Sequence, residues 1–200
     1  MKTRISLIVL ALILVPVQVS AQFGIKIGYT NSIHKITTED GDKKVNADGM
    51  TAGLSYDFRL HGNLYLRSGI MYGFQWYNDS RSMDIGVNVN EHLMEHNITV
   101  PVHLRYDLEV IPEILSFGAS LGPSLICGIS SKTEVSMFGA IDDTYIQDNY
   151  SGPDRKKRIS LGVGGSISAR IIRQVEMELG YDFSRKDSFR FTIGYIFCAT

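Results

Sequence analysis

The feature that most constrains this chain is an alternation of period two. From residue 23 onward, apolar residues recur at every second position through eight segments: 23–30, 50–59, 64–76, 98–108, 115–125, 159–169, 175–183 and 189–197. Successive side chains of a strand point to opposite faces, so these segments predict two-faced strands. In the seventh, Val175, Met177, Leu179, Tyr181 and Phe183 make one face, and Glu176, Glu178, Gly180 and Asp182 the other. The other segments repeat the contrast, setting an aliphatic and aromatic face against glycine, serine, threonine and full charges. The charged set is balanced, with Lys26, Arg59, Arg67, Arg105 and Arg190 against Asp57, Asp107, Glu176, Glu178 and Asp182.

Which face meets solvent decides the architecture. A closed barrel of about eight strands is only wide enough inside to be filled by side chains. Small residues and paired charges suit that lumen, because an unpaired buried charge is costly. The apolar face then points at lipid. The expected fold is all-β, an eight-stranded antiparallel up-and-down transmembrane β-barrel. An even strand count fits bacterial barrels, and each segment is close to the ~9–11 residues of a tilted membrane-crossing strand. A soluble lipocalin-like barrel would require the charged face to turn outward.

The N-terminus supports the same solvent. Lys2 and Arg4 precede an apolar run from Ile5 to Val15, followed by Val19-Ser20-Ala21. This is the pattern of a secretory signal peptide, and the run is shorter than the ~20 residues of a spanning helix. The expected organisation is a signal peptide over residues 1–21 and a barrel domain over 22–200. Cleavage removes two basic residues and no acid, which takes the net charge from −1 to −3. No basic excess points to nucleic acid.

Connection lengths alternate. The links around His61-Gly62-Asn63, Glu109–Glu113 and Ile171–Gln174 are short, whereas Asn31–Gly49, Asn78–Asn97 and Cys127–Lys157 are long and polar. Outer-membrane barrels have short periplasmic turns and longer extracellular loops, so both termini are expected in the periplasm. Aromatic residues fall near segment ends. Tyr29, Phe74, Trp76, Phe183 and Phe189 are expected at one interface, and Phe23, Tyr56, Phe58, Tyr106, Tyr195 and Phe197 at the other. Pro101 inside the fourth segment removes a ladder donor and predicts a bulge or local break.

Several stretches resemble the PorT-like outer-membrane β-barrel domain family. They are Phe23-Gly24-Ile25-Lys26-Ile27-Gly28, the proline-containing run Ile98 to Tyr106, and the glycine–proline run Ser116 to Pro123, in that order after Ala21-Gln22. The final segment, Phe191 to Phe197, resembles the C-terminal signal of clients of the barrel assembly machinery. The resemblance implies an outer-membrane location and an eight-stranded barrel, with no reaction and no catalytic residues.

Few residues suggest chemistry. His92 and His96 lie four apart beside Glu91 and Glu95, a spacing that would serve a metal on a helix, but they fall in an expected loop or strand extension. His103 and Asp107 share the lumen face without a serine at a telling distance. Arg155-Lys156-Lys157-Arg158 could meet lipopolysaccharide phosphates. Cys127 and Cys198 are expected at opposite ends of the barrel as free thiols. No catalytic, cofactor-binding or metal site is expected.

The expected function is that of a non-enzymatic integral outer-membrane barrel. It would act through extracellular loops or periplasmic contacts in binding, adhesion, envelope integrity or secretion support. The alternatives are a lipid A-modifying enzyme and a small channel. The expected partners are outer-membrane lipid and lipopolysaccharide, and the assembly machinery during biogenesis.

Overall fold

The computed structural model describes residues 21–38, 41–83, 87–139, 142–151, 155–183 and 187–197. Residues 1–20 of the expected signal peptide, and Cys198, lie outside these. The strands are β1 (Ala21–Thr38), β2 (Gly41–His61), β3 (Leu64–Met83), β4 (Val87–Ile111), β5 (Leu115–Phe138), β6 (Asp143–Asp148), β7 (Ile159–Ile171), β8 (Val175–Phe183) and β9 (Asp187–Phe197). All pairings are antiparallel, and β1 pairs with β9 from Phe23↔Phe197 to Ile33↔Asp187. Eight strands close the ring, while β6 pairs only with the far end of β5.

The two faces segregate as the alternation predicts. Leu54, Ile70, Leu104, Leu121, Ile167 and Ile193 are exposed around the outside, while Lys26, Asp57, Arg67, Arg105, Glu176 and Glu178 are buried inside. An apolar belt of this extent is far beyond what a soluble protein exposes, and a closed ring satisfies every backbone group in lipid. Aromatic pairs mark its two edges. Phe23–Phe197, Tyr56–Phe58 and Tyr195–Phe197 pack at the end with short turns, and Phe74–Trp76 and Tyr181–Phe183 at the other.

The long links are not loops, in contrast to the expectation. β1–β2 and β3–β4 continue as ladders to Thr38↔Gly41 and Met83↔Val87, and β5 runs on to Phe138. Beyond the belt, β3 to β6 form a four-stranded sheet, pairing Tyr77↔Leu93, Asn88↔Phe138 and Lys132↔Asp148. Here the rule of the faces reverses, because the surrounding solvent is water. Val87, Val89 and Val135 turn inward and pack with Met137, while Asn88 and Asn90 are exposed. Ala47, Tyr77 and Leu93 make a second small core with Val45. The alternation was present in residues 87–95, but their mixed polarity concealed it.

A β-bulge marks the boundary between the two regimes. His96 pairs with Ser130 and Asn97 with Gly128, which leaves Ile129 as the extra residue of β5. Its inward residues are therefore even-numbered below (Ser120, Ser124) and odd-numbered above (Ser131, Val135). An extra residue changes parity because the strand period is two.

Pro101 breaks the ladder as expected, without a bulge. Partners are lost between Ser68↔Val102 and Met71↔Thr99, where Pro101 stands opposite Gly69. A second gap, between Pro101↔Ser124 and Leu104↔Leu121, falls where Pro123 of β5 stands opposite Val102, and the register is unchanged across both.

Candidate functional site: a filled lumen beneath an open vestibule

The lumen divides into two zones. The first, toward the turn end, is filled by ion pairs. Glu176 of β8 is its hub and is 1% exposed. Its carboxylate meets Lys26 at 2.6 Å, Arg67 at 2.9 Å, Arg105 at 2.7 Å and Arg170 at 3.0 Å, drawing β1, β3, β4 and β7 together. Arg67 also forks onto Asp57, with Nε and Nη2 at 2.7 and 2.8 Å, and donates to Glu178 at 2.7 Å. Arg105 holds Asp107 at 2.5 Å, and Arg190 holds Asp182 at 3.0 Å. Such pairs are favourable in a low-dielectric interior only when geometry and remaining hydrogen bonds are good. The distances here are short, while Arg105 Nη2 and Arg170 Nε are buried without a hydrogen-bond partner. A pocket of only about 20 Å³ remains beside Lys26, Arg67 and His103, room for a single water.

One member of the expected charge set is replaced. Arg59 is exposed at the end of β2, the last residue before the register shift, and donates to the Gly62 carbonyl at 2.7 Å. Arg170 takes its place inside, bridging Asp57 and Glu176. It continues the inward parity of Ser166 and Ser168. That parity was the signal that could have found it, since the expected segment stopped one residue short, at Ala169.

Neither histidine pairing singled out in the sequence is brought together. His103 is 2% exposed and contacts Ser124 Oγ at 3.2 Å, while Asp107 is held by Arg105. Four residues along a strand span ~13 Å, so His103 and Asp107 share a face without meeting. His92 and His96 are separated in the same way. His92 contacts Asn78, and His96 contacts the Tyr72 hydroxyl at 2.5 Å and stacks on Phe74. Cys127 is half-buried and free.

The second zone is a vestibule of about 590 Å³, open toward the hairpin end. Its floor carries Asp182 and Arg190, and its walls include Gln75, Glu91, Glu95, Asn97, Tyr145 and Asn149. Asn149, Tyr150 and Lys156 to Arg158 supply a further wall. They belong to a segment whose described residues, 149–151 and 155–158, leave and rejoin β5. At Ser131 this segment leaves the β5 ladder, with Asn149 N donating to Ser131 O at 2.8 Å. It rejoins at Gly128, whose N–H donates to Arg158 O at 2.6 Å.

Specific contacts fix the segment. The Asp148 carboxylate accepts the Tyr150 N–H at 2.9 Å and the Ser151 hydroxyl at 3.1 Å. The Tyr150 N–H is the main reason that this carboxyl lies below its usual range. Asn149 Nδ2 donates to Ser131 and Thr133. The Arg158 guanidinium lies 4.8 Å from the Tyr150 ring centroid, within cation–π range. Lys156 faces Glu95 at 3.7 Å. The basic run that sequence placed at a strand top is therefore turned in part toward the vestibule.

The autotransporter beta-domain family matches residues 11–125, more than half of the chain. No curated protein sequence matches it. Among solved structures, the attachment invasion locus protein Ail of Yersinia pestis, in complex with the heparin analogue sucrose octasulfate, is 16% identical. The TM-score is 0.51, and the match covers 89% of this chain and 99% of that chain. Neisserial surface protein A is 15% identical with a TM-score of 0.44, covering 90% and 99%. At 16% identity the likeness to Ail is one of fold.

Proposed function

The chain belongs to the autotransporter beta-domain family, and on that premise we propose that it is a non-enzymatic outer-membrane barrel that works at its hairpin end. In this reading the hairpin end lies outside the cell and both termini lie in the periplasm. The observation that carries it is the division of the lumen. The membrane-spanning part is filled by the Glu176 network, whereas the hairpin end carries a sheet beyond the apolar belt and an open vestibule.

The other features support this reading. A channel is disfavoured because the space beside the network is about 20 Å³. A lipid A-modifying activity is disfavoured because His103 and Asp107 have separate partners. Lipopolysaccharide is the neighbouring surface for the exposed Arg155, and the barrel assembly machinery is the partner during biogenesis. The finer resemblance to PorT-like barrels agrees, since it too implies a barrel and no reaction.

The test is topological. In a background lacking both native cysteines, Tyr145→Cys and Glu113→Cys are treated on intact cells with a membrane-impermeant maleimide. Tyr145→Cys is expected to label at once, and Glu113→Cys only after permeabilisation. The reverse pattern would overturn the orientation. Stable single-channel steps in planar bilayers would overturn the closed lumen.

A further inference from the structure

We infer that the β4–β5 and β7–β8 turns form a docking face for a protein that offers an apolar groove with a lysine or arginine at its rim. Three isoleucines make the face: Ile111 is 45% exposed, Ile114 55% and Ile172 66%. Backbone hydrogen bonds tie them together. Ile114 N donates to Ile111 O at 3.1 Å, and Ile172 N donates to Ile114 O at 2.8 Å. The two tips lie in water. Glu109 continues the inward parity of the buried Arg105 and Asp107, yet it is exposed, so the lumen has ended before it. Ile114 is farther out along the chain, and Ile172 is bonded to it. Exposed apolar side chains rimmed by charge mark an interaction surface.

Both tips hold a side chain where the backbone favours glycine or asparagine. Pro112 and Glu113 are the central pair of the turn that Ile114 N closes on Ile111 O. Glu113 has φ of 64°, the left-handed position that glycine or asparagine fills in a type II turn. Ile172 has φ of 50°, which is costly for a β-branched residue. The β2–β3 turn at the same end is built in the ordinary way, with Gly62 at φ of 54° and no isoleucine. Strain kept at two neighbouring tips, beside a turn that avoids it, points to a use for the side chains displayed there. Charge selects the occupant. Glu109 and Glu113 flank the isoleucines and share Arg173, at 3.4 and 3.7 Å, so two carboxylates face one guanidinium. The excess negative charge favours a cationic rim on the partner and repels an anionic phospholipid surface.

On the orientation proposed above the partner is periplasmic, but the face itself does not depend on that reading. The test is photo-crosslinking of the full chain in living cells of the source bacterium, with benzoylphenylalanine at Ile111 or Ile114 and, as a control, at Asn63 of the β2–β3 turn. One protein adduct of the same mass is expected from both positions and none from Asn63. Mass spectrometry of the adduct should place the cross-link in an apolar groove flanked by lysine or arginine. Ile172→Asn should lower the yield about tenfold, as loss of one buried isoleucine implies. Ile172→Leu should retain it. Glu113→Lys should lower it severalfold, because it sets like charges against each other. The heat-dependent gel shift verifies that each variant is folded.

Absence of an adduct overturns the inference, as does an adduct with one phospholipid or with a second copy of this chain. Equal yield at Asn63, a yield unchanged by Ile172→Asn, or a cross-linked groove without basic residues overturns it too. Maleimide labelling that reverses the orientation while the adduct persists would move the partner outside the cell and leave the docking face standing, so the two readings fail separately.

Discussion

Gly128 and Tyr150 share one space. A Cβ built on Gly128 would lie 1.8 Å from the Tyr150 hydroxyl. The absent side chain on β5 is thus the notch that seats the ring of the 149–158 segment, and Arg158 covers that ring. Gly128→Ala is expected to expel Tyr150 and cost about 1–3 kcal/mol, as overpacking does. Trypsin should then cut faster at Arg155, Lys156 and Lys157 in the folded barrel. Adding Tyr150→Ala should recover most of the loss, since the clash has one partner. Additive penalties in the double variant would show that the two residues are not coupled.

The same segment is fastened by a carboxylate outside the membrane. Asp148 accepts the Tyr150 N–H and the Ser151 hydroxyl, and its pKa in the fold is lowered from 3.8, chiefly by that N–H. A depressed pKa contributes order that is fully present above the unfolded value and is lost as pH falls through the folded value. At neutral pH, Asp148→Ala should therefore exchange the amides of 149–151 faster than the native chain. That difference should persist down to about pH 4, near the unfolded value, and vanish as acidification continues. A difference that is independent of pH would mean that the carboxylate charge is irrelevant.

The turn between β7 and β8 is built from unsuitable residues. Ile172 and Arg173 have φ of 50° and 55°, and Gln174 N closes the turn on Ile171 O at 3.2 Å. Two successive positive φ values define a type I′ turn, which favours Asn-Gly and strains a β-branched residue. Ile172→Asn with Arg173→Gly should stabilise the barrel by about 1 kcal/mol in urea titrations. The exposed contacts of Arg173 with Glu109 and Glu113, at 3.4 and 3.7 Å, detract little. A loss of stability would show that Ile172 is held there by packing against lipid or neighbouring turns.

Where lipid sets the rule, the sequence was legible. Within the eight segments the lumen charges Lys26, Asp57, Arg67, Arg105, Asp107, Glu176, Glu178, Asp182 and Arg190 follow from alternation alone, and the break at Pro101 follows from a missing N–H. What stayed hidden depends on a change of solvent or count. In residues 87–95 the inward face mixes Val87, Val89 and Leu93 with Glu91 and Glu95, a weak signal beside the aromatic strands, so they resembled a loop. The vestibule needs the bulge at Ile129 and the departure of 149–158 at the same height, and one extra residue carries no distinctive composition. Arg59 and Arg170 show the same limit, since strand ends decide which charge is enclosed.

Glu176 is the residue on which the filled lumen depends. It opposes Lys26, Arg67, Arg105 and Arg170, and these cations remain buried if its charge is removed. Removing one partner of a buried ionic group typically costs about 3–5 kcal/mol, because the rest is left uncompensated. Glu176→Gln should lower the unfolding free energy by that amount in denaturant titrations of the lipid-embedded barrel. The exposed Glu109→Gln should change it by no more than about 0.5 kcal/mol. Equal, small effects would imply that the remaining carboxylates redistribute the charge.

The boundary between lipid and water can be tested with two residues of nearly equal exposure. Leu121 on β5 is 64% exposed and lies in the belt between Leu104 and Gly165, and Ile146 on β6 is 67% exposed beyond the bulge. Exposure alone predicts the same response from both. The solvent assignment predicts opposite ones. Leu121→Arg places a charge in hydrocarbon and should cost about 2–4 kcal/mol if it lies near the midplane. Ile146→Arg places it in water and should alter stability by less than about 0.5 kcal/mol. Folding equilibria into lipid vesicles measure both. A penalty at Ile146 equal to that at Leu121 would place the β3–β6 sheet inside the membrane, and with it the vestibule.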